Sequence, residues 1–262
     1  MSDNAPIGIL DSGVGGLTAA DCVFTSMPNE SIIYFGDAAN MPYGNRTPEE
    51  IVFLANRMIH FLETQHVKVI LLACNTISSM KEQLKSHVQL IDIVTAGASA
   101  IGRKAQEGET VGLIATKATV ESGAYVKAIS HLGKGITVRS NASTSLPKII
   151  DSQLENASLL DEKIRECIDP IVEDHTIRKL ILGCSHFPII REEISLIYPF
   201  LELIDPAVEQ THMLSEYLTE RHAFSEETHR KVLLCTSGEK TEFDATLQRL
   251  QIKPDEVENI EW

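Results

Sequence analysis

The chain is short of several things at once, and each shortage closes off a class of protein. It has five cysteines in 262 residues, none in a CxxC pair, so neither a disulfide framework nor a zinc ribbon is indicated and the thiols are expected to be free. Positive charge is scarce: 23 lysines and arginines stand against 37 acids, for a formal net charge of −14. Non-specific binding to nucleic acid or to an anionic membrane needs a basic patch, so neither partner is expected. No apolar run approaches the roughly 20 residues that span a bilayer. The opening Met1-Ser2-Asp3-Asn4-Ala5 lacks the basic flank and apolar stretch of a secretory leader, and a cytoplasmic location is expected.

What is present is enough apolar material, 43% of residues, to bury a substantial core. It comes in short runs: Ile7 to Leu10, Ile32 to Phe35, Val67 to Ala73, Ile91 to Val94, Val111 to Ala115, Leu180 to Gly183, Leu201 to Ile204 and Val232 to Thr236. These read as buried parallel strands. Between several of them lie stretches with helical spacing, among them Glu49 to Glu63, Thr119 to His131 and Ala207 to Thr219. Thr47-Pro48-Glu49-Glu50 supplies a capping residue, a proline at the first helical position and a glutamate placed for a capping box. Alternation of strand and helix predicts an α/β protein with helices covering parallel sheets.

In open parallel sheets, ligands settle beyond the carboxyl ends of strands, and the polar motifs fall there. Asp11-Ser12-Gly13-Val14-Gly15-Gly16 follows the first run. Its glycines let backbone amides approach an anion, while Thr18 stands where a GxGxxG would end, so the dinucleotide pattern is incomplete. The plainer reading is a tight turn in which Asp11 or Ser12 caps the next helix. Gly36-Asp37 and Pro42-Tyr43-Gly44 follow the second run, where Asp37 taken alone reads as a loop or capping carboxylate. Thr116-Lys117-Ala118-Thr119 follows the fifth, with either threonine a helix cap or a ligand contact.

Two runs end at a cysteine in matching context: Ala73-Cys74-Asn75-Thr76 and Gly183-Cys184-Ser185-His186. A single cysteine at a strand end is ordinarily a small buried hydrophobe. Two in the same local grammar suggest similar halves, each presenting a thiol. If the halves face one another, one thiolate can take a proton from carbon while the other thiol returns one from the opposite face. Cys74 is also expected at a helix N-terminus, a position that lowers a thiol pKa. Cys22, Cys167 and Cys235 read as core filler, and His60, His66, His87, His131 and His175 have no neighbouring ligand types. No local ligand spacing supports a metal site built from Cys74, Cys184 and His186.

Taken in order, Ile9 to Leu17, Gly36-Asp37, Pro42-Tyr43-Gly44, Ala73 to Thr76, Ile114-Ala115-Thr116 and Leu182 to Pro188 closely resemble the bacterial glutamate racemases. The resemblance implies two pseudo-symmetric three-layer α/β domains with mainly parallel sheets and an active site in the cleft between them. With the C-terminal part returning to the first domain, the division is 1–95 plus 208–262, and 96–207. It implies that Cys74 and Cys184 are the acid/base pair, Cys74 deprotonating the D enantiomer and Cys184 the L. Asp11 would assist Cys74 and His186 would assist Cys184, with Asp37 at the catalytic periphery. Ser12, Pro42, Tyr43, Gly44, Asn75, Thr76, Thr116 and Ser185 would hold glutamate. The same resemblance implies a homodimer that needs no cofactor and supplies D-glutamate for peptidoglycan, with a nucleotide-linked wall precursor as activator in some members. A racemase for aspartate or another acidic amino acid, and a degenerate racemase fold kept as a binding protein, are the alternatives.

The chain departs from the family at Thr95-Ala96, where Glu-Pro is usual, at Phe187, and at Pro206 after Asp205. Ile150 stands where the family carries a glutamate near the second thiol. Asp151 follows it, and a one-residue shift is expected to turn that side chain elsewhere.

Overall fold

The computed structural model describes residues 3–151, 157–173 and 175–261. In chain order the strands are β1 (Ile7–Asp11), β2 (Ile32–Gly36), β3 (Val69–Leu72), β4 (Leu90–Asp92), β5 (Thr110–Ala115), β6 (Thr137–Ala142), β7 (Lys179–Gly183), β8 (Glu202–Ile204), β9 (Val232–Thr236) and β10 (Glu256–Asn259). The helices are α1 (Leu17–Ser26), α2 (Pro48–Thr64), α3 (Asn75–Ser78), α4 (Ile93–Lys104), α5 (Lys117–Glu121), α6 (Ala124–Ser130), α7 (Leu146–Asp151), α8 (Ala157–Val172), α9 (Arg191–Ile197), α10 (Pro206–Arg221) and α11 (Asp244–Leu250). Among the described residues no helix is long and apolar enough to cross a membrane.

The strands form two sheets, ordered β10-β9-β2-β1-β3-β4 and β6-β5-β7-β8. Every pairing is parallel. The series β2-β1-β3-β4 recurs as β6-β5-β7-β8, so the two sheets share one strand order and β9 and β10 extend the first. Both faces of each sheet are covered, which is why the central strands read as unbroken apolar runs. In β1, Ile7 and Ile9 pack with α1, α10 and α11 residues such as Leu17, Leu214 and Leu247, while Leu10 packs on the other face with Ile51 and Met58 of α2. In the second sheet, Leu180 and Leu182 face Ile164 and Ile168 of α8, and Ile181 faces Ile101 of α4 and Ile129 of α6.

Two helices start as their sequences dictate. Thr47 Oγ1 accepts from Glu50 N–H at 3.3 Å while Glu50 Oε2 accepts from Thr47 N–H at 2.9 Å, which closes the capping box of α2. Pro206 occupies the first turn of α10, and Asp205 caps it by accepting from Ala207 N–H at 3.0 Å. The side-chain amide of Gln210 donates to Leu72 O and Ile91 O, which ties α10 to the ends of β3 and β4.

Four expectations are corrected. Ile93 and Val94 open α4 instead of extending β4, because Asp92 caps that helix by accepting from Thr95 N–H at 2.7 Å. The single helix expected over Thr119 to His131 is two, α5 and α6, broken at Gly123, whose φ of 65° is left-handed. β6 and β10 had no counterpart among the apolar runs; both are polar edge strands. Neither Asp11 nor Ser12 caps α1, whose N-cap is Gly16 with no side-chain bond.

Candidate active site

The loops that follow β1, β2, β3, β5, β6 and β7 converge on a cleft of about 270 Å³. Its lining includes two cysteines, Cys74 directly before α3 and Cys184 directly after β7. β3 and β7 occupy the same place in the shared strand order, so the two thiols come from equivalent points of the two sheets. Each is buried, and among the described residues all five cysteines are free.

The surroundings of the two thiols differ. The Cys74 thiol donates to Ser12 Oγ at 3.5 Å. Burial, and then the charge of Asp11, push its pKa up to about 12. The expectation of a lowered pKa is therefore overturned: α3 is a single turn of four residues, and desolvation outweighs whatever its N-terminus contributes. Asp11 ends β1, wholly buried, and its Oδ2 accepts from Gly13 N–H at 3.1 Å. Burial raises its pKa against the pull of the His186 charge.

Cys184 Sγ lies 3.7 Å from His186 Nδ1, and His186 Nε2 lies 3.0 Å from Asp151 Oδ1. The second contact has the distance of an ion pair without the alignment of a hydrogen bond. Burial alone would lower the His186 pKa, but the Asp151 carboxylate and the Cys184 sulfur outweigh it and hold the imidazole well above its usual 6.5. Asp151 thus corrects the expectation that its side chain turns away. At the end of α7, Ile150 packs into the second core and Asp151 faces the cleft.

The other expected residues fall as follows. Ser12, Pro42, Tyr43, Gly44, Asn75, Thr76, Thr116, Ser185 and His186 line the cleft. Asp11 lies behind Ser12, outside the lining. Asp37 also lies outside it, and accepts from the Tyr43 hydroxyl, from Asn40 Nδ2 at 2.9 Å and from the Ser237 hydroxyl. Thr76 Oγ1 lies 2.9 Å from Thr116 Oγ1 and 3.3 Å from Thr119 Oγ1, so a cluster of hydroxyls joins the β3 and β5 loops. Thr116 both caps α5, accepting from Thr119 N–H at 3.3 Å, and faces the cleft. Thr18 Oγ1 donates to Ser185 O at 3.2 Å and links the β1 loop to the second thiol's loop.

Lys117, Ser143, Thr144, Lys148 and Asp151 also line the cleft and were not among the expected site residues. Four of these five lie beyond β6, the counterpart of β2. A signal for them existed: with β6 recognised, the repeat of strand order would have pointed to the loop at Ser143 as the partner of the loop at Asp37. Among the described residues no group of three His, Cys, Asp or Glu side chains is placed to hold a metal ion.

Fold and site together define an α/β protein with a cleft flanked by a cysteine from each of two matching sheets. The model of the Asp/Glu/Hydantoin racemase family matches residues 19–214. Glutamate racemase 1 of Caldanaerobacter subterraneus subsp. tengcongensis is 35% identical, over 93% of this chain and 91% of the relative. Glutamate racemase of Streptococcus equi subsp. equi is 34% identical over 98% of this chain and 99% of the relative. Among solved structures, glutamate racemase isoform RacE1 of Bacillus anthracis superposes with a TM-score of 0.92 at 29% identity, covering 99% of this chain and 98% of that one. Glutamate racemase of Francisella tularensis subsp. tularensis, crystallised with D-glutamate, gives 0.90 at 34% identity with the same coverage, 99% and 98%. The chain belongs to the Asp/Glu/Hydantoin racemase family.

Proposed function

We infer that this protein is a glutamate racemase that interconverts L- and D-glutamate by acid/base catalysis between two thiols, with no cofactor. The observation that carries the reading is the pair Cys74 and Cys184, lining one cleft from equivalent positions of two matching sheets. One thiolate takes the α-hydrogen as a proton, and the bonding electrons stay on the α-carbon as a carbanion. The opposite thiol then gives its proton to the other face and becomes the thiolate. Inversion needs one sulfur ionised and one protonated. Cys74, held up to about 12, keeps its proton and is set to donate. The imidazole of His186, 3.7 Å from Cys184 Sγ, stands within reach to exchange a proton with that sulfur. Cys184 would take the proton of the L enantiomer and Cys74 that of the D.

The remaining assignments divide by chemistry. Ser12, Asn75, Thr76, Thr116 and Ser185 offer amide and hydroxyl donors to the two carboxylates, and Pro42, Tyr43 and Gly44 form a wall. Asp11 serves Cys74. Asp37 acts at the periphery by anchoring Tyr43. Lys117 and Lys148 place positive charge at the lining of a cleft in an otherwise acidic protein. The division into 1–95 plus 208–262 and 96–207 cuts the first turns of α4 and α10, two helices that pack on one another. That contact is where one half would pivot against the other. A homodimer in the cytoplasm, feeding D-glutamate to peptidoglycan synthesis and responsive to a nucleotide-linked wall precursor, completes the reading.

The deciding measurement is turnover of each glutamate enantiomer in deuterated solvent, followed by mass spectrometry and circular dichroism. The expected result is one deuterium at the α-carbon of the inverted product, with aspartate turned over far more slowly. Cys74→Ala and Cys184→Ala are each expected to lower racemisation by ~10²–10⁴-fold or more with little change in thermal midpoint. Normal turnover in either variant would end the two-thiol scheme, and faster aspartate turnover would reassign the substrate.

A further inference from the structure

Tyr125 lies outside the cleft lining and has no role in the scheme above. It is buried on α6, which covers the second sheet, and its hydroxyl donates to Asn75 Oδ1 at 2.6 Å. Asn75 opens the turn after β3 of the first sheet, so this bond crosses between the halves. Gly97 on α4 leaves the space for it: a Cβ there would fall 2.7 Å from Tyr125 Cε1 and 3.1 Å from the hydroxyl oxygen. A buried phenol has one proton to place, and here the amide oxygen receives it. An amide held by its oxygen turns its nitrogen the other way. Asn75 Nδ2 is buried with no hydrogen-bond partner among the described residues, in a residue that lines the cleft and is 2% exposed. Such a donor carries a desolvation penalty until an acceptor arrives, and a substrate carboxylate is one.

We propose that Tyr125 is a positioning residue for substrate binding: it fixes the Asn75 amide so that Nδ2 meets a carboxylate of the acidic substrate. This rests on the reading of Asn75 as a substrate-binding residue. Burial raises the Tyr125 pKa well above 10, so the hydroxyl remains a donor over the range in which the protein works.

The test is steady-state kinetics on the full-length chain, for both glutamate enantiomers, of Tyr125→Phe, Asn75→Ala and the double variant. Tyr125→Phe is expected to raise KM ~3–10-fold with kcat nearly unchanged. The double variant is expected to have the KM of Asn75→Ala alone, because no amide is left to orient. An unchanged KM in Tyr125→Phe, penalties that multiply in the double variant, or a loss confined to kcat overturns the proposal. An unchanged KM in Asn75→Ala would instead remove Asn75 from substrate binding, a failure of the underlying assignment. Should Tyr125→Phe not fold, Asn75→Asp decides, since it keeps an acceptor for Tyr125 and puts an oxygen in place of Nδ2. Its KM must exceed that of Asn75→Ala, and an equal or lower value overturns the proposal.

Discussion

Between the sulfur of Cys184 and the carboxylate of Asp151 stands one imidazole, whose charge depends on both neighbours. Burial works against a proton on His186, and the Asp151 carboxylate and then the Cys184 sulfur work for it. Removing the carboxylate charge leaves burial less opposed, so Asp151→Asn should make the imidazolium lose its proton at lower pH. The alkaline limb of kcat/KM that requires the charged ring is then expected to move down in pH. Asp151→Glu, which keeps the charge, should shift it little. Full pH–rate profiles of the three proteins make the comparison, and a limb that stays in place in Asp151→Asn would show that His186 does not depend on this carboxylate. Asp151 faces the cleft while Ile150, where the resemblance implies a glutamate, is a core residue.

Elements matter here chiefly by where they stop. The turn from β1 to α1 runs against the loop that carries the second thiol, and a Cβ on Gly15 would lie 2.6 Å from both His186 Nδ1 and Ser185 Oγ. Gly15→Ala must displace that ring or that loop by a few tenths of an ångström or more. Misplacements on this scale near the reacting atoms are expensive, and kcat/KM is expected to fall ~10²-fold while far-ultraviolet circular dichroism stays native. Near-normal kinetics in that variant would show the loop free to yield. The same scale explains what the sequence disclosed. Central strands were legible because burial on both faces demands continuous apolar runs, and the motifs at their ends were legible because turns and caps need particular residues. β6 and β10 were not, since an edge strand such as Thr137–Ala142 keeps polar residues. With β6 unseen, the loop holding Ser143 and Thr144, and α7 with Lys148 after it, had no strand to be read from. Asp151 was misjudged because alternation by one residue was applied to a position that is helical, where neighbouring residues can divide between core and cleft.

At the scale of the whole molecule, the thiols set how the fold answers to pH. Burial pushes Cys22, Cys74, Cys167 and Cys235 each up to about 12 from an ordinary 9.0. An unfolded chain ionises these groups near the ordinary value, whereas the native protein holds their protons. Their contribution to stability is therefore whole below the unfolded pKa and is lost as pH climbs from there toward the folded one. Urea denaturation under reducing conditions is expected to give a lower midpoint at about pH 10.5 than near neutrality. An equal or higher midpoint would mean that the thiols are ionised without cost in the folded state.

The hydroxyl of Ser237 and the carboxylate of Asp37 meet across 200 positions of chain. That span fixes an order of events during synthesis. A ribosome releases both sulfurs and every strand of the smaller sheet before β9 exists, yet Tyr43 leans on a carboxylate whose outer support arrives with the loop after β9. The nascent polypeptide thus carries its reactive atoms for some time before that brace is in place.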